Sequence, residues 1–221
     1  MRCLNTTYCL EMCSGACVAE GKRYRTIVAD PPWRYDEGWP VSERGYQAAL
    51  RQNIPNARRG FRTPLPYSAL DVEAIKALPV RELADPSGCH LYLWTTNRYL
   101  RSAFDVLDAW GFRYGQTLVW CKTPMGMGPG GAWAQTTEYI LVGRHGSSLR
   151  SLARLPSTWF NWPRLGASHS RKPEHAMDMI ETVSPAPRLE MFARTQRLGW
   201  DTWGNEALNH VDLTPHPSPG A

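Results

Sequence analysis

Two adjacent prolines, Pro31 and Pro32, close a short apolar run, Thr26-Ile27-Val28-Ala29, with a carboxylate, Asp30, before them and a large aromatic, Trp33, after them. This stretch constrains the fold most. An unbroken apolar run of this length reads as a strand buried on both faces. Asp-Pro-Pro opens a turn after such a strand. Each proline locks φ near about −65°, so groups just past the strand end stay aimed. A carboxylate, a proline carbonyl and an aromatic face at one strand end suit an aromatic amine that is a poor nucleophile and must be held by its N–H groups. Adenine N6 is such an amine. Asp30 accepts one N–H, the Pro31 carbonyl accepts the other, and Trp33 offers a face for stacking. The alternative is a plain turn opener with Trp33 filling the core.

The rest of the chain alternates strands and helices. Ser68 is expected to cap a helix running to about Leu78, stopped by Pro79. Cys89 to Trp94 reads as a buried strand. Asn97 to Trp110 reads as a helix with Leu100, Phe104 and Leu107 on one face and Gly111 ending it. Thr117 to Lys122 and Thr137 to Gly143 read as strands joined by a glycine-rich loop. A helix from Pro173 to Val183 and a last strand from Arg188 to Ala193 follow. This pattern predicts an α/β domain with a largely parallel, doubly wound sheet. Ligands in such sheets bind beyond the carboxyl ends of the strands, where Asp30 and Arg194 both fall.

Charge is distributed unevenly. The net charge of +5 suits a polyanionic partner. Arg34 to Pro66 is arginine-rich and without clear periodicity, which predicts a substrate-facing loop. Between Arg144 and Lys172 there is no acidic residue, and Trp159, Phe160 and Trp162 are interleaved with the arginines. Basic groups meet phosphates and aromatic faces meet bases. No apolar run reaches the length of about 18 residues that a membrane span needs. The amino terminus lacks a long apolar segment, so a cytoplasmic location is expected. Cys3, Cys9, Cys13 and Cys17 crowd the first residues without zinc-type spacing. Three parts are expected: a cysteine-rich segment over 1–20, one catalytic domain over 21–208, and a disordered tail over 209–221.

Several further motifs occur in order: Leu91-Tyr92-Leu93-Trp94-Thr95, Trp120-Cys121-Lys122-Thr123, Ser170-Arg171-Lys172-Pro173, Glu190-Met191-Phe192-Ala193-Arg194 and Trp203-Gly204-Asn205-Glu206. With Asp30-Pro31-Pro32-Trp33 they resemble the MT-A70 family of adenine-N6 methyltransferases, from about Arg25 to Glu206. The resemblance implies a Rossmann-like S-adenosylmethionine-dependent methyltransferase fold with circularly permuted motif order, the catalytic motif preceding the cofactor motif. It implies catalysis by Asp30, Pro31, Pro32 and Trp33. Lys172 would meet the carboxylate of S-adenosylmethionine, Arg194 and Asn205 would approach the ribose, and Asp30, Phe192 and Glu206 would flank the cofactor. Substrate contacts are expected from Trp33, Tyr35, Lys122, Trp133 and Arg144.

The chain departs from the family in one place: Thr195-Gln196-Arg197 stands where members often carry a His-Asn pair. The implied partner is nucleic acid, with DNA favoured over RNA, and a homo- or heterodimer is compatible. The alternatives are a non-catalytic nucleic-acid-binding subunit of the same fold and a methyltransferase acting on protein amides or small amines.

Overall fold

In the computed structural model of the protein, which describes residues 22–34, 69–122, 135–147, 150–163, 172–211 and 213, the first apolar run forms β1 (Thr26–Ala29), all four residues buried. Two short helices follow, α1 (Val72–Lys76) and α2 (Val80–Leu83). Next come β2 (Gly88–Thr95), a 3-10 turn at Asn97–Tyr99, and α3 (Leu100–Ala109). The chain continues through β3 (Arg113–Cys121), β4 (Thr137–Gly146), β5 (Trp159–Phe160), α4 (Glu174–Val183), β6 (Arg188–Met191) and β7 (Asp201–Trp203).

The strands form one seven-stranded sheet in the order β5-β3-β4-β2-β1-β6-β7. β1 pairs in parallel with both β2 and β6. β4 is antiparallel to both its neighbours and runs against all the other strands. The doubly wound α/β architecture and the Rossmann-like fold are as expected. From β1 the chain builds outward to β2 on one side and returns later to add β6 on the other. The strand order therefore switches at β1, and the crevice beyond its carboxyl end is the natural ligand position. Asp30 is the first residue past that end.

Alternate residues of the strands feed two cores. On one face Ile27, Leu91, Leu93 and Leu189 pack against Ile75 of α1, Leu83 of α2 and Val106 and Leu107 of α3. On the other, Val28, Tyr92, Trp94 and Ile140 pack against Met177 and Ile180 of α4 and against Trp200. Each fully buried leucine or isoleucine contributes about 1.5–3 kcal/mol relative to exposure. The two cores fix which face each strand residue occupies, and so fix the register that aims Asp30.

Several local expectations are corrected. Helix α1 is capped by Asp71, whose side chain accepts from the Ala74 N–H at 2.7 Å, and begins later than a cap at Ser68 would place it. Pro173 sits at the N-cap of α4, one position before the first helical residue. β3 begins at Arg113, because its first four residues are exposed and carry no apolar alternation to read. The last expected strand ends at Met191, where Phe192 turns with φ of 62°. β5 and β7, of two and three residues, are too short to show a period.

Residues 209–211 and 213, inside the expected tail, contact the fold. Thr202 N–H donates to His210 Nδ1 at 3.1 Å, and Leu213 is buried at 3 % exposure. Cys89 and Cys121 are free thiols. Cys3, Cys9, Cys13 and Cys17 lie outside the described residues. Among the described residues no cluster suits a metal ion, and no helix is long and apolar enough to cross a membrane.

Candidate active site

Asp30 is presented by a frame on three sides. β1 ends at Ala29 between β2 and β6. The Trp33 N–H donates to the Pro31 carbonyl at 2.8 Å, and the Leu70 N–H to the Pro32 carbonyl at 2.9 Å, so the chain returning at residue 70 pins the double proline. Trp33 Nε1–H donates to the Trp94 carbonyl at 3.2 Å, fastening the motif to β2. Asp30 opens onto a cavity of about 420 Å³ that is also lined by Thr95, Lys172, Phe192, Arg194 and Asn205. Pro31, Pro32, Trp33 and Glu206 border the same space.

A chain of alternating charge crosses one wall. Lys122 Nζ donates to Glu138 Oε1. Glu138 Oε2 lies 3.3 Å from Lys172 Nζ, which in turn donates to Asp30 Oδ2 at 2.8 Å. The two ammonium groups also lie over indole rings, Lys172 over Trp94 at 5.2 Å and Lys122 over Trp120 at 5.3 Å. Burial opposes the charge on Lys172, but Asp30 and Glu138 outweigh it and raise its pKa, so the ammonium persists. Burial likewise opposes the charge on Glu138, and Lys172 and Lys122 overcome it and lower its pKa. For Asp30 burial dominates and pushes the carboxyl above the ordinary range, with Lys172 pulling back. The outcome is a paired but basic carboxylate. Its side chain keeps 29 % of its exposure, against 9 % for Glu138.

The opposite wall is built by the turn after β6. Phe192 adopts φ of 62°, a conformation that costs a non-glycine residue about 1–3 kcal/mol. Its ring meets Trp203 edge-to-face at 5.2 Å, and the Ala193 N–H donates to the Trp203 carbonyl at 3.0 Å. Residue 204 must be glycine for this contact: a Cβ there would lie 2.3 Å from the Ala193 carbonyl oxygen. The strained turn and the close approach together place Phe192, Arg194 and Asn205 around one space. Arg197, in the departing Thr195-Gln196-Arg197 stretch, turns the other way. It donates to Glu181 at 2.6 Å, Asp178 at 2.5 Å and Glu174 at 3.2 Å, clasping the loop to α4.

Three expectations are corrected here. Trp33 is 4 % exposed, and its ring stacks on Tyr99 at 5.1 Å, so it anchors the motif instead of offering an open stacking face. Arg144 pairs with His90 near the start of β2, whereas Thr95 at the end of β2 borders the cavity. Five residues of strand, about 17 Å, separate them. Lys122 stands behind Glu138 and does not line the cavity. Tyr35 and Trp133 lie outside the described residues.

Glu138 lines the cavity without a local sequence signal for a site residue. In sequence it is one acid at the start of an apolar strand; only the antiparallel course of β4 brings it to the cavity. Thr95 and Trp203, which the sequence offers only as parts of motifs, and Thr96, which belongs to none, line the same cavity. Glu190 adds a second basic carboxylate nearby. It pairs with Val28 on β1, and burial pushes its carboxyl up to about 7, with Asp30 and Glu174 adding to the shift and Arg197 opposing it. The native carboxyl holds a proton that the unfolded chain has released. Stability therefore falls as pH rises from about 4.5 to about 7, and the full penalty applies above that window. Glu190→Gln is expected to stabilise the protein by about 2 kcal/mol at pH 8 and to have little effect below pH of about 4.5, read by denaturant unfolding at both pH values.

The cavity suits S-adenosylmethionine on its donor set. It offers a cation and a carboxylate for a zwitterionic tail, an amide and a guanidinium for a ribose diol, and aromatic walls.

A family model, MT-A70, matches residues 24–206. The chain is 28 % identical over 200 residues to the Type II methyltransferase M.MunI of Mycoplasma sp, an alignment covering 84 % of this chain and 78 % of that enzyme. It is 27 % identical to the N6-methyladenosine RNA methyltransferase MTA1 of Cryphonectria parasitica, covering 86 % of this chain and 53 % of that protein. It is 25 % identical to the N(6)-adenosine-methyltransferase catalytic subunit METTL3 of Homo sapiens, covering 83 % of this chain and 28 % of that subunit. The chain thus spans most of the first relative and roughly half or a quarter of the other two.

Proposed function

The chain belongs to the MT-A70 family of S-adenosylmethionine-dependent N6-adenine methyltransferases, and we propose that it is itself such an enzyme, methylating N6 of adenine in nucleic acid, with DNA as the preferred target. The observation that carries this reading is that Asp30, although paired with Lys172, faces a cavity of about 420 Å³ at the switch point of the sheet. A carboxylate aimed away from any such space would have ended it. Preference for DNA rests on the larger share of the Type II methyltransferase that the chain matches among the relatives named above.

When bound, S-adenosylmethionine supplies a sulfonium-activated methyl carbon. The protein's part is orientation and proton management. Asp30 accepts one N–H of the adenine amine. The Pro31 carbonyl accepts the other with its second lone pair, the first being taken by the Trp33 N–H. Pulling on both N–H bonds moves the nitrogen toward tetrahedral geometry and exposes its lone pair. Burial raises the Asp30 carboxyl above its ordinary range, against the pull of Lys172, which favours Asp30 as the acceptor of the proton that the methylated amine sheds.

Lys172 has three N–H donors: one bonds Asp30, and a second side faces Glu138 Oε2 as an ion pair at 3.3 Å. The third serves the carboxylate of the amino-acid tail. Glu138 thus holds Lys172 in place for both tasks, and Arg194, Asn205, Phe192 and Glu206 surround the remainder of the cofactor. A duplex target must be flipped from its stack to reach Asp30.

Labelled-methyl transfer to DNA, RNA and protein, measured side by side, tests the assignment. N6-methyladenine in DNA is the expected product; label in protein alone would overturn it. A second reading, a non-catalytic nucleic-acid-binding subunit, draws on the Asp30–Lys172 pair, which a structural role would also produce. It predicts no cofactor binding by calorimetry, whereas the enzyme reading predicts binding.

A further inference from the structure

Among the described residues, Trp159 is the tryptophan that the fold leaves most exposed. It is 61 % exposed on β5, the edge strand, while the next residue, Phe160, is tucked under the sheet and stacks on Trp162 at 4.4 Å. The Trp162 carbonyl takes the Trp120 Nε1–H at 2.9 Å, so this side of β5 is nailed to the core. The backbone of Trp159 is pinned as well. Its N–H donates to Ser157 Oγ at 3.1 Å, and that hydroxyl donates back to the Trp159 carbonyl at 2.7 Å. An exposed indole on a fixed backbone loses little freedom when something stacks on it.

Register shows what it belongs to. Thr95 pairs with Tyr139, Tyr139 with Val119, and Val119 with Trp159. Directly paired residues point to the same face of a sheet. These four therefore form one cross-strand row, leading from Thr95, buried where it lines the cavity, through half-buried Tyr139 and Val119, to the exposed indole. Three strand spacings separate its ends, about 14 Å. No carboxylate occurs in the sequence between Arg144 and Lys172, the stretch that contains β5. Aromatic side chains in line with a cavity match a single strand of nucleic acid, with bases stacking along the row.

We infer that Trp159 is the stacking platform for a base flanking the target adenine, and that the Thr95–Tyr139–Val119–Trp159 row is the track along which a single strand leaves the cavity. The inference rests on the proposed nucleic-acid substrate. At about 3.4 Å per stacked nucleotide, the contacted base lies within about four positions of the target.

The test is binding of short single-stranded adenine-containing oligonucleotides, intact or with one abasic position, to wild-type protein, Trp159→Ala and Trp159→Phe. Trp159→Ala is expected to weaken binding of the intact oligonucleotide by about 5- to 100-fold, with Trp159→Phe near wild type. One abasic position should weaken wild type and leave Trp159→Ala indifferent, a coupling that a merely structural role would not produce. Affinity for S-adenosylmethionine should not change. Equal binding by wild type and Trp159→Ala, or equal sensitivity of both to every abasic position, overturns the inference. So does conversion of a dimer to a monomer in Trp159→Ala with oligonucleotide affinity intact, which would make the row a surface for a second copy. Failure of the functional reading looks different: the wild type binds the oligonucleotide with this Trp159 dependence and transfers no methyl group.

Discussion

Asp30→Asn is expected to lower methyl transfer by about 10²–10⁴-fold while leaving S-adenosylmethionine affinity within a few-fold of wild type. The substitution keeps the shape of the group and removes its charge. An amide oxygen still accepts one adenine N–H, so substrate is held. What is lost is a basic acceptor for the departing proton and the negative charge that strengthens in value as the amine becomes cationic. Single-turnover rates at saturating substrate, beside calorimetry of cofactor binding, separate these effects. Parallel loss of rate and cofactor affinity would mean that Asp30 serves only to hold Lys172, since the two share a hydrogen bond of 2.8 Å.

Lys172→Met is expected to have the second largest effect, on both stability and activity. It leaves Asp30 and Glu138 without the ammonium between them, and breaking a largely buried ion pair from one side costs about 3–5 kcal/mol. Lys122 still neutralises Glu138, which places the cost toward the lower end. Cofactor affinity should fall as well, because the third donor of Lys172 disappears. The double variant Asp30→Asn with Lys172→Met tells the two roles apart. Removing both charges is expected to return part of the stability in denaturant unfolding and none of the methyl transfer. Recovery of transfer in the double variant would show that the pair is structural and that the chemistry lies elsewhere.

The residues legible in the sequence are those whose chemistry is local. Asp30-Pro31-Pro32 announces a rigid strand end because proline geometry is independent of tertiary context. Lys172 precedes a proline at a helix start, and Arg194 follows an apolar strand. In each case punctuation and an adjacent charge are read together. Arg144 shows where such reading stops. It follows an apolar strand as Arg194 does, yet β4 runs antiparallel, so its carboxyl end points away from the cavity and its first residues point toward it. Glu138 and Arg144 exchange importance for that one reason. Strand direction is set by which edge of the growing sheet has room, and no local pattern in Thr137 to Gly146 carries it. Trp33 was legible as an aromatic at the site but not as a buried one, because its burial depends on Tyr99 and Trp94, contributed by another strand and the turn after it.

The amino-acid sequence alone determined the α/β class, the rigid carboxylate past the first strand and the set of charged and aromatic residues from which a cofactor site is made. Those follow from apolar runs, proline geometry and side-chain chemistry, all of which act over a few residues. The tertiary structure decided which of those groups meet: Glu138 behind Lys172, Phe192 strained against Trp203, Trp33 sealed inside and Trp159 left outside. Pairing order and strand direction depend on contacts between distant segments, where free energy is gained only once the whole sheet has closed around its two cores.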